Sequence, residues 1–190
     1  MPTGDRPSIL IVDDEEDVAD VYALRLRAEY DTRVAYGGAD ALEAMDTDVD
    51  VVLLDRRMPD VAGDDVLERL RAEGYDARII MLTAVDPGLD IVDMPFDDYL
   101  CKPIEKNDLV DAIEQQLRIQ RYDEQLSEYL EVTSKLTLLE TELPPHEIDA
   151  SDDLQTLKRR AVELKETMDD VIDEFDDIEA AFVKIGRHPG

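Results

Sequence analysis

Short apolar runs and segments of helical spacing take turns along the first hundred residues. Ser8 to Val12, Thr32 to Tyr36, Val51 to Leu54, Arg78 to Leu82 and Asp98 to Cys101 predict strands. Between them, apolar positions recur at three- and four-residue spacing over Glu15 to Tyr30, Ala39 to Met45 and Asp64 to Glu73, and more weakly over Leu89 to Asp93, which predicts helices. Gly37-Gly38, Gly63 and Gly74 mark joints. Strands alternating with helices predict an α/β fold: a doubly wound sheet of five parallel strands, occupying residues 1–118 once a last helix is added.

After Pro103 the pattern changes. No Gly or Pro interrupts residues 104–143, so one long helix, or two joined end to end, is expected there. Leu143-Pro144-Pro145-His146 then breaks it, because proline cannot continue the backbone ladder and biases the residue before it away from helix. A further helix should start near Ser151, a natural N-cap. It carries a heptad seam of Leu154, Leu157, Ala161, Leu164, Met168, Val171, Phe175, Ile178, Phe182 and Ile185, spaced 3 and 4 throughout. The preceding helix offers a rougher stripe of Ile119, Tyr122, Leu126, Tyr129, Leu136, Leu139 and Leu143, slipping near Val132 and Thr133. Residues 119–190 therefore read as an all-α, antiparallel helical hairpin with arms of roughly 35 to 50 Å. Two stripes packed only on each other stay partly exposed, so a homodimer through these helices is expected.

Composition narrows the function classes. Forty-nine Asp and Glu against 20 Lys and Arg leave a formal charge of −29, spread over both halves of the chain. Such a surface repels nucleic-acid phosphates at low ionic strength and resembles the acidic proteins of salt-loving microbes. One cysteine, Cys101, excludes an internal disulfide and a cysteine-based zinc cluster. No apolar run reaches 18 residues, and the MPTGDRP start lacks the apolar segment of a signal peptide, so a cytoplasmic protein without membrane contact is expected.

The candidate chemistry gathers at the strand ends. Asp13 and Asp14 follow the first predicted strand, Asp55 the third, Thr83 the fourth and Lys102 the fifth. In an open parallel sheet these ends face one crevice. Carboxylates crowded there cannot all stay ionised without a cation, and oxygen ligands without His or Cys favour Mg2+. With a metal holding two acids, a third carboxylate can attack a phosphoryl donor and form an acyl phosphate. Lys102 and Thr83 would contact the phosphoryl oxygens, the first as a point charge and the second as a hydrogen-bond donor.

The motifs ILIVDDE, VVLLDRRMPD, MLTA and DDYLCKP, in that order and spacing, resemble the receiver domains of two-component response regulators over roughly residues 7–118. The resemblance implies a flavodoxin-like sheet in the strand order 2-1-3-4-5, with Asp55 as the phosphoacceptor and Asp13, Asp14 and Asp55 holding Mg2+ with the backbone carbonyl of Arg57. It further implies that Thr83 and Tyr99 form the switch pair and that the bond before Pro103 is cis. The donor would be a phosphohistidine on a sensor histidine kinase, since neither His146 nor His188 lies in a suitable helical motif. Two departures stand out. The segment from Thr83 to Lys102 is about three residues shorter than usual and contains Pro87, Gly88 and Pro95, so its helix should be short or distorted. Arg56 and Arg57 put cationic bulk beside the acceptor, where they would screen the pocket, tune hydrolysis or simply face solvent.

The helical module resembles the HalX domain that follows receivers in salt-loving archaea, through its position, the LPP break and the acidic VIDEFDDIEAAF segment. That resemblance implies transcriptional control through an output protein or the transcription machinery. Direct DNA binding is an alternative, although the only basic cluster is Lys158-Arg159-Arg160, read as a solvated face. An aspartyl phosphotransferase or phosphatase is a third reading. Such enzymes usually carry an acid two residues after the nucleophile, where this chain has Arg57, so a switch without turnover is expected rather than an enzyme.

Overall fold

The computed structural model describes residues 6–84, 88–144, 146–147 and 151–182, with the side chains of residues 90 and 170–182 left aside. They fall into two compact units, one ending at Leu117 and one spanning Arg118–Phe182. The first contains β1 (Ser8–Val12), α1 (Glu16–Leu26), β2 (Asp31–Ala35), α2 (Gly38–Ala44), β3 (Val51–Asp55), α3 (Gly63–Ala72), β4 (Arg78–Thr83), a 3-10 turn at Leu89–Ile91, β5 (Asp98–Cys101) and the start of α4 (Lys106–Glu142). The five strands form one parallel sheet in the order β2-β1-β3-β4-β5.

The apolar runs are continuous because both sheet faces are covered. Successive side chains point to opposite faces, so Ile9, Ile11, Val51, Leu53, Ile80 and Leu82 pack against Ala19, Tyr22 and Leu26 of α1 and Leu109, Ala112 and Ile113 of α4. Leu10, Val12, Val52, Leu54, Ile79 and Met81 pack against Ala41 of α2 and Val66, Leu67 and Leu70 of α3. The weak helical pattern near Leu89 to Asp93 yields only three residues of 3-10 helix. Pro95 and Gly88 deny that segment the length at which an α-helix propagates.

Glycine is required where α3 meets the loop after β3. A Cβ on Gly63 would collide with the Asp55 carbonyl oxygen and lie 2.8 Å from Arg56 Cα. The Gly63 N–H instead donates to the Arg56 carbonyl at 3.0 Å. Gly63→Ala is therefore expected to destabilise the protein by about 1–3 kcal/mol, the usual cost of overpacking against backbone, as a lowered thermal midpoint. At the far end of α3, Gly74 (φ 81°) sits in the left-handed region. Its N–H reaches the Arg71 carbonyl and that of Tyr75 the Leu70 carbonyl, closing the helix.

The second unit is a hairpin of α4 residues from Arg118 onward and α5 (Asp152–Phe182). Residues 106–142 form one helix, not two end to end. Ser151 Oγ accepts the Leu154 N–H at 3.3 Å, the expected cap. Val132, Leu136, Leu154 and Leu164 are buried together, with Tyr129, Leu139, Leu143, Leu157 and Ala161 against them. Met168 is also buried, whereas Val171, Phe175, Ile178 and Phe182 have side chains outside the described set, and Ile185 lies outside the described residues. Where the stripe slips, Val132 enters the seam and Thr133 returns its hydroxyl to the Tyr129 carbonyl at 2.7 Å. Glu140 pairs with Lys158 at 2.8 Å and Glu128 with Arg160 at 2.7 Å, so the arms run antiparallel. No described helix is long and apolar enough to cross a membrane.

Candidate phosphoacceptor site

Three carboxylates, a hydroxyl and an ammonium converge at the carboxyl ends of four strands. Asp13 and Asp14 follow β1, Lys102 follows β5, and Asp55 and Thr83 are the last residues of β3 and β4 rather than the first beyond them. The strand ends are tied together: the Asp13 N–H donates to the Ala35 carbonyl at 3.2 Å, that of Arg56 to Leu82 at 2.9 Å and that of Lys102 to Thr83 at 2.6 Å. Asp13 and Thr83 are each 1% exposed and Asp55 is 6% exposed.

Lys102 Nζ lies 2.7 Å from Asp13 Oδ2 and 2.8 Å from Asp55 Oδ1. The remaining oxygens take backbone donors, Glu15 N–H to Asp13 Oδ1 at 3.0 Å and Arg57 N–H to Asp55 Oδ2 at 3.2 Å. One carboxylate oxygen from each of Asp13, Asp14 and Asp55 lies within 4.8 Å of the others. Burial pushes the Asp55 carboxyl above its ordinary range; Lys102 opposes this, and Asp13 and Asp14 add to it. Burial alone would lower the Lys102 ammonium, but its hydrogen bonds to Asp13 and Asp55 outweigh that and hold it above its usual value. One ammonium among three carboxylates is thus amply paired while Asp55 is not. The formal charge left over is the negative charge that a divalent cation would neutralise, and the donors are all oxygen, which is the chemistry Mg2+ requires.

Tyr99 is buried on β5, its ring 5.6 Å from that of Phe96. The Lys102-Pro103 peptide is cis. Arg57 is exposed and reaches Asp55 through its N–H; Arg56 is held by Asp64 at 3.1 Å, and the charges acting on Asp55 are Lys102, Asp13 and Asp14. Three contributors are not legible in the residue pattern. The Glu15 and Arg57 N–H groups leave no side-chain signature. Tyr22, a core position of α1, has its phenol pushed up by burial and feels Lys102, Asp13 and Asp55 from behind the pocket.

Residues 9–114, more than half of the chain, match the response regulator receiver domain. The chain belongs to that family. The receiver is followed by a HalX domain over residues 118–183. A candidate transcriptional regulator of Haloferax volcanii is 46% identical over 134 residues, 70% of this chain but 23% of that protein, so the chain spans under a quarter of that relative's length. Among solved structures, a CheY-like receiver from Methanospirillum hungatei is 26% identical with a TM-score of 0.58, covering 62% of this chain and 98% of that one. The response regulator TrrA from Thermotoga maritima, solved in complex with Mg2+ and BeF, is 28% identical with a TM-score of 0.50, covering 58% and 98%. Receivers are phosphoacceptor switches that bind Mg2+ at an acidic pocket, and in this receiver such a pocket is formed by Asp13, Asp14 and Asp55.

Proposed function

We propose that this receiver accepts a phosphoryl group on Asp55 from a sensor histidine kinase and passes the change to the HalX hairpin, which acts in transcriptional regulation in the cytoplasm through contacts with other proteins. The observation that carries this reading is the pairing of a buried, poorly compensated Asp55 with Lys102 and two further carboxylates at one end of the sheet. Asp13, Asp14 and Asp55, with the Arg57 carbonyl, would hold Mg2+. When bound, Mg2+ supplies charge neutralisation for an incoming phosphoryl group.

The residues divide the work. An Asp55 carboxylate oxygen attacks the donor phosphorus, the bond from phosphorus to the kinase histidine nitrogen breaks, and that nitrogen keeps the electron pair. Lys102, already 2.8 Å from Asp55, would follow the phosphoryl oxygens as a fixed positive charge. Thr83 would donate its hydroxyl to the same group and Tyr99 would respond behind it as the switch pair. That the Thermotoga maritima relative was solved with Mg2+ and BeF together supports this use of the pocket.

Contact with protein rather than DNA is favoured by the fate of the basic cluster. Lys158 pairs with Glu140, and Arg160 donates from Nε and Nη2, one edge of its guanidinium, to the two carboxylate oxygens of Glu128 at 2.7 and 2.8 Å. Incubation with a small acyl phosphate and Mg2+ is expected to add one phosphoryl group to the parent chain and none to Asp55→Ala, read as intact mass. Equal uptake by both would move the acceptor elsewhere and end this reading.

A further inference from the structure

Among the described side chains, the hairpin's seam is buried between its two arms, whereas a second face of α4 is exposed. Leu130 is 55% exposed and Leu138 is 62% exposed. Around them lie Ser127, Thr133, Ser134, Thr137 and Thr141, so an arc of four turns carries no charged side chain in a protein where 36% of residues are charged. Its threonines are less polar than their names suggest. Thr133, Thr137 and Thr141 each donate the hydroxyl to the carbonyl four residues earlier, at 2.7, 2.9 and 2.7 Å. With the hydroxyls spent on the helix's own backbone, what remains at the surface is chiefly methyl groups.

We propose that this face of α4 is where two copies of the chain meet. The charge argument selects the occupant: at −29 per chain, two copies repel one another wherever acidic surfaces face, and an uncharged arc is the stretch on which they can approach. The arc is also self-complementary. Leu130 and Leu138 lie at equal distances either side of Ser134, so a two-fold axis at Ser134 with the helices antiparallel sets each Leu130 against the partner copy's Leu138 over a small residue. From Ser127 to Thr141 the arc is about 21 Å long at 1.5 Å per residue. That is too little for a standard interface of about 800 Å2 per partner, so association depends on salt. Molar salt contracts the Debye length to about 3 Å and removes the repulsion that opposes the contact. This inference does not depend on phosphorylation.

The test is the mass of the full chain in solution by light scattering, in about 0.1 M and in molar KCl. The parent is expected to shift from one chain to two as salt rises. The double variant Leu130→Glu, Leu138→Glu, changed only at exposed positions, should stay at one chain in both conditions with unchanged helicity and unchanged phosphoryl uptake at Asp55. A second variant guards against misfolding of the first. Ser134→Cys in a Cys101→Ser background should cross-link to a covalent dimer on mild oxidation in molar salt. A parent that remains a single chain at every salt concentration overturns the proposal. So does a double variant that doubles in mass as the parent does, or a Ser134→Cys chain that fails to cross-link while the parent dimerises.

Discussion

Lys102→Met should lower the stability of the metal-free protein by about 3 kcal/mol, the low end for stripping one partner from a buried ion pair. The low end applies because the lysine side chain keeps 17% of its surface, against 1% for Asp13 and 8% for Asp55. The loss comes from what is left behind. Three carboxylates within 4.8 Å, two of them buried, would share the pocket with no cation, and the methionine fills the aliphatic volume, so packing contributes little. Added Mg2+ should therefore stabilise the variant more than the parent, since in the variant it neutralises charge that Lys102 formerly met. Urea unfolding with a chelator and with Mg2+ measures both differences. Equal stabilisation of the two proteins by Mg2+ would mean that the metal does not occupy this pocket.

Asp55→Asn should abolish phosphoryl uptake altogether while raising the thermal midpoint of the metal-free protein at neutral pH. The sign follows from the direction of the Asp55 shift. Burial raises its folded-state pKa, so Asp55 contributes stability that is fully present below the ordinary carboxylate range and is lost as pH rises through the raised value. Asparagine keeps the shape and an acceptor for Lys102 but has no charge to lose. Parent and variant should thus have similar midpoints in acid, diverge as pH climbs through the raised carboxyl range, and hold a constant gap above it. Lys102 adds no slope in that window, because its raised pKa keeps it charged until alkaline pH. Mg2+ should close the gap by stabilising the parent. A chain whose midpoint is indifferent to Asp55→Asn across this range would show that the carboxylate is better compensated than its surroundings imply.

The strands are readable from their apolar runs because burial on both faces leaves no polar alternation to confuse them. The expected bounds of β1 and β5 match the observed ones, and those of β2, β3 and β4 differ by one residue, β3 and β4 each running one residue further than expected. That small difference places Asp55 and Thr83 within their strands, held in the ladder by pairing with Leu82 and Cys101. Motif spacing brings Asp13, Asp14, Asp55 and Lys102 together correctly because parallel strands deliver their carboxyl ends to one edge. What linear order hides is pairing across space. Nothing in DRRMPD tells that Arg56 is spent on Asp64 while Arg57 turns only its N–H to the acceptor. The glycine at 63 reads as a turn residue, although its role is to let α3 approach the backbone of Asp55. In the hairpin, Lys158-Arg159-Arg160 reads as a solvated basic face, and only the antiparallel arms reveal Glu140 and Glu128 set against two of its members.

The most direct test of the phosphoacceptor account is chemical localisation of the label. Phosphorylate the full chain with a small acyl phosphate and Mg2+, reduce it with borohydride, which converts an aspartyl phosphate to homoserine, and map the peptides by mass. Homoserine at position 55 alone, appearing only when donor and Mg2+ are both present, is the predicted result. Homoserine at position 13 or 14, or its absence in a protein that has gained the phosphoryl mass, would contradict it.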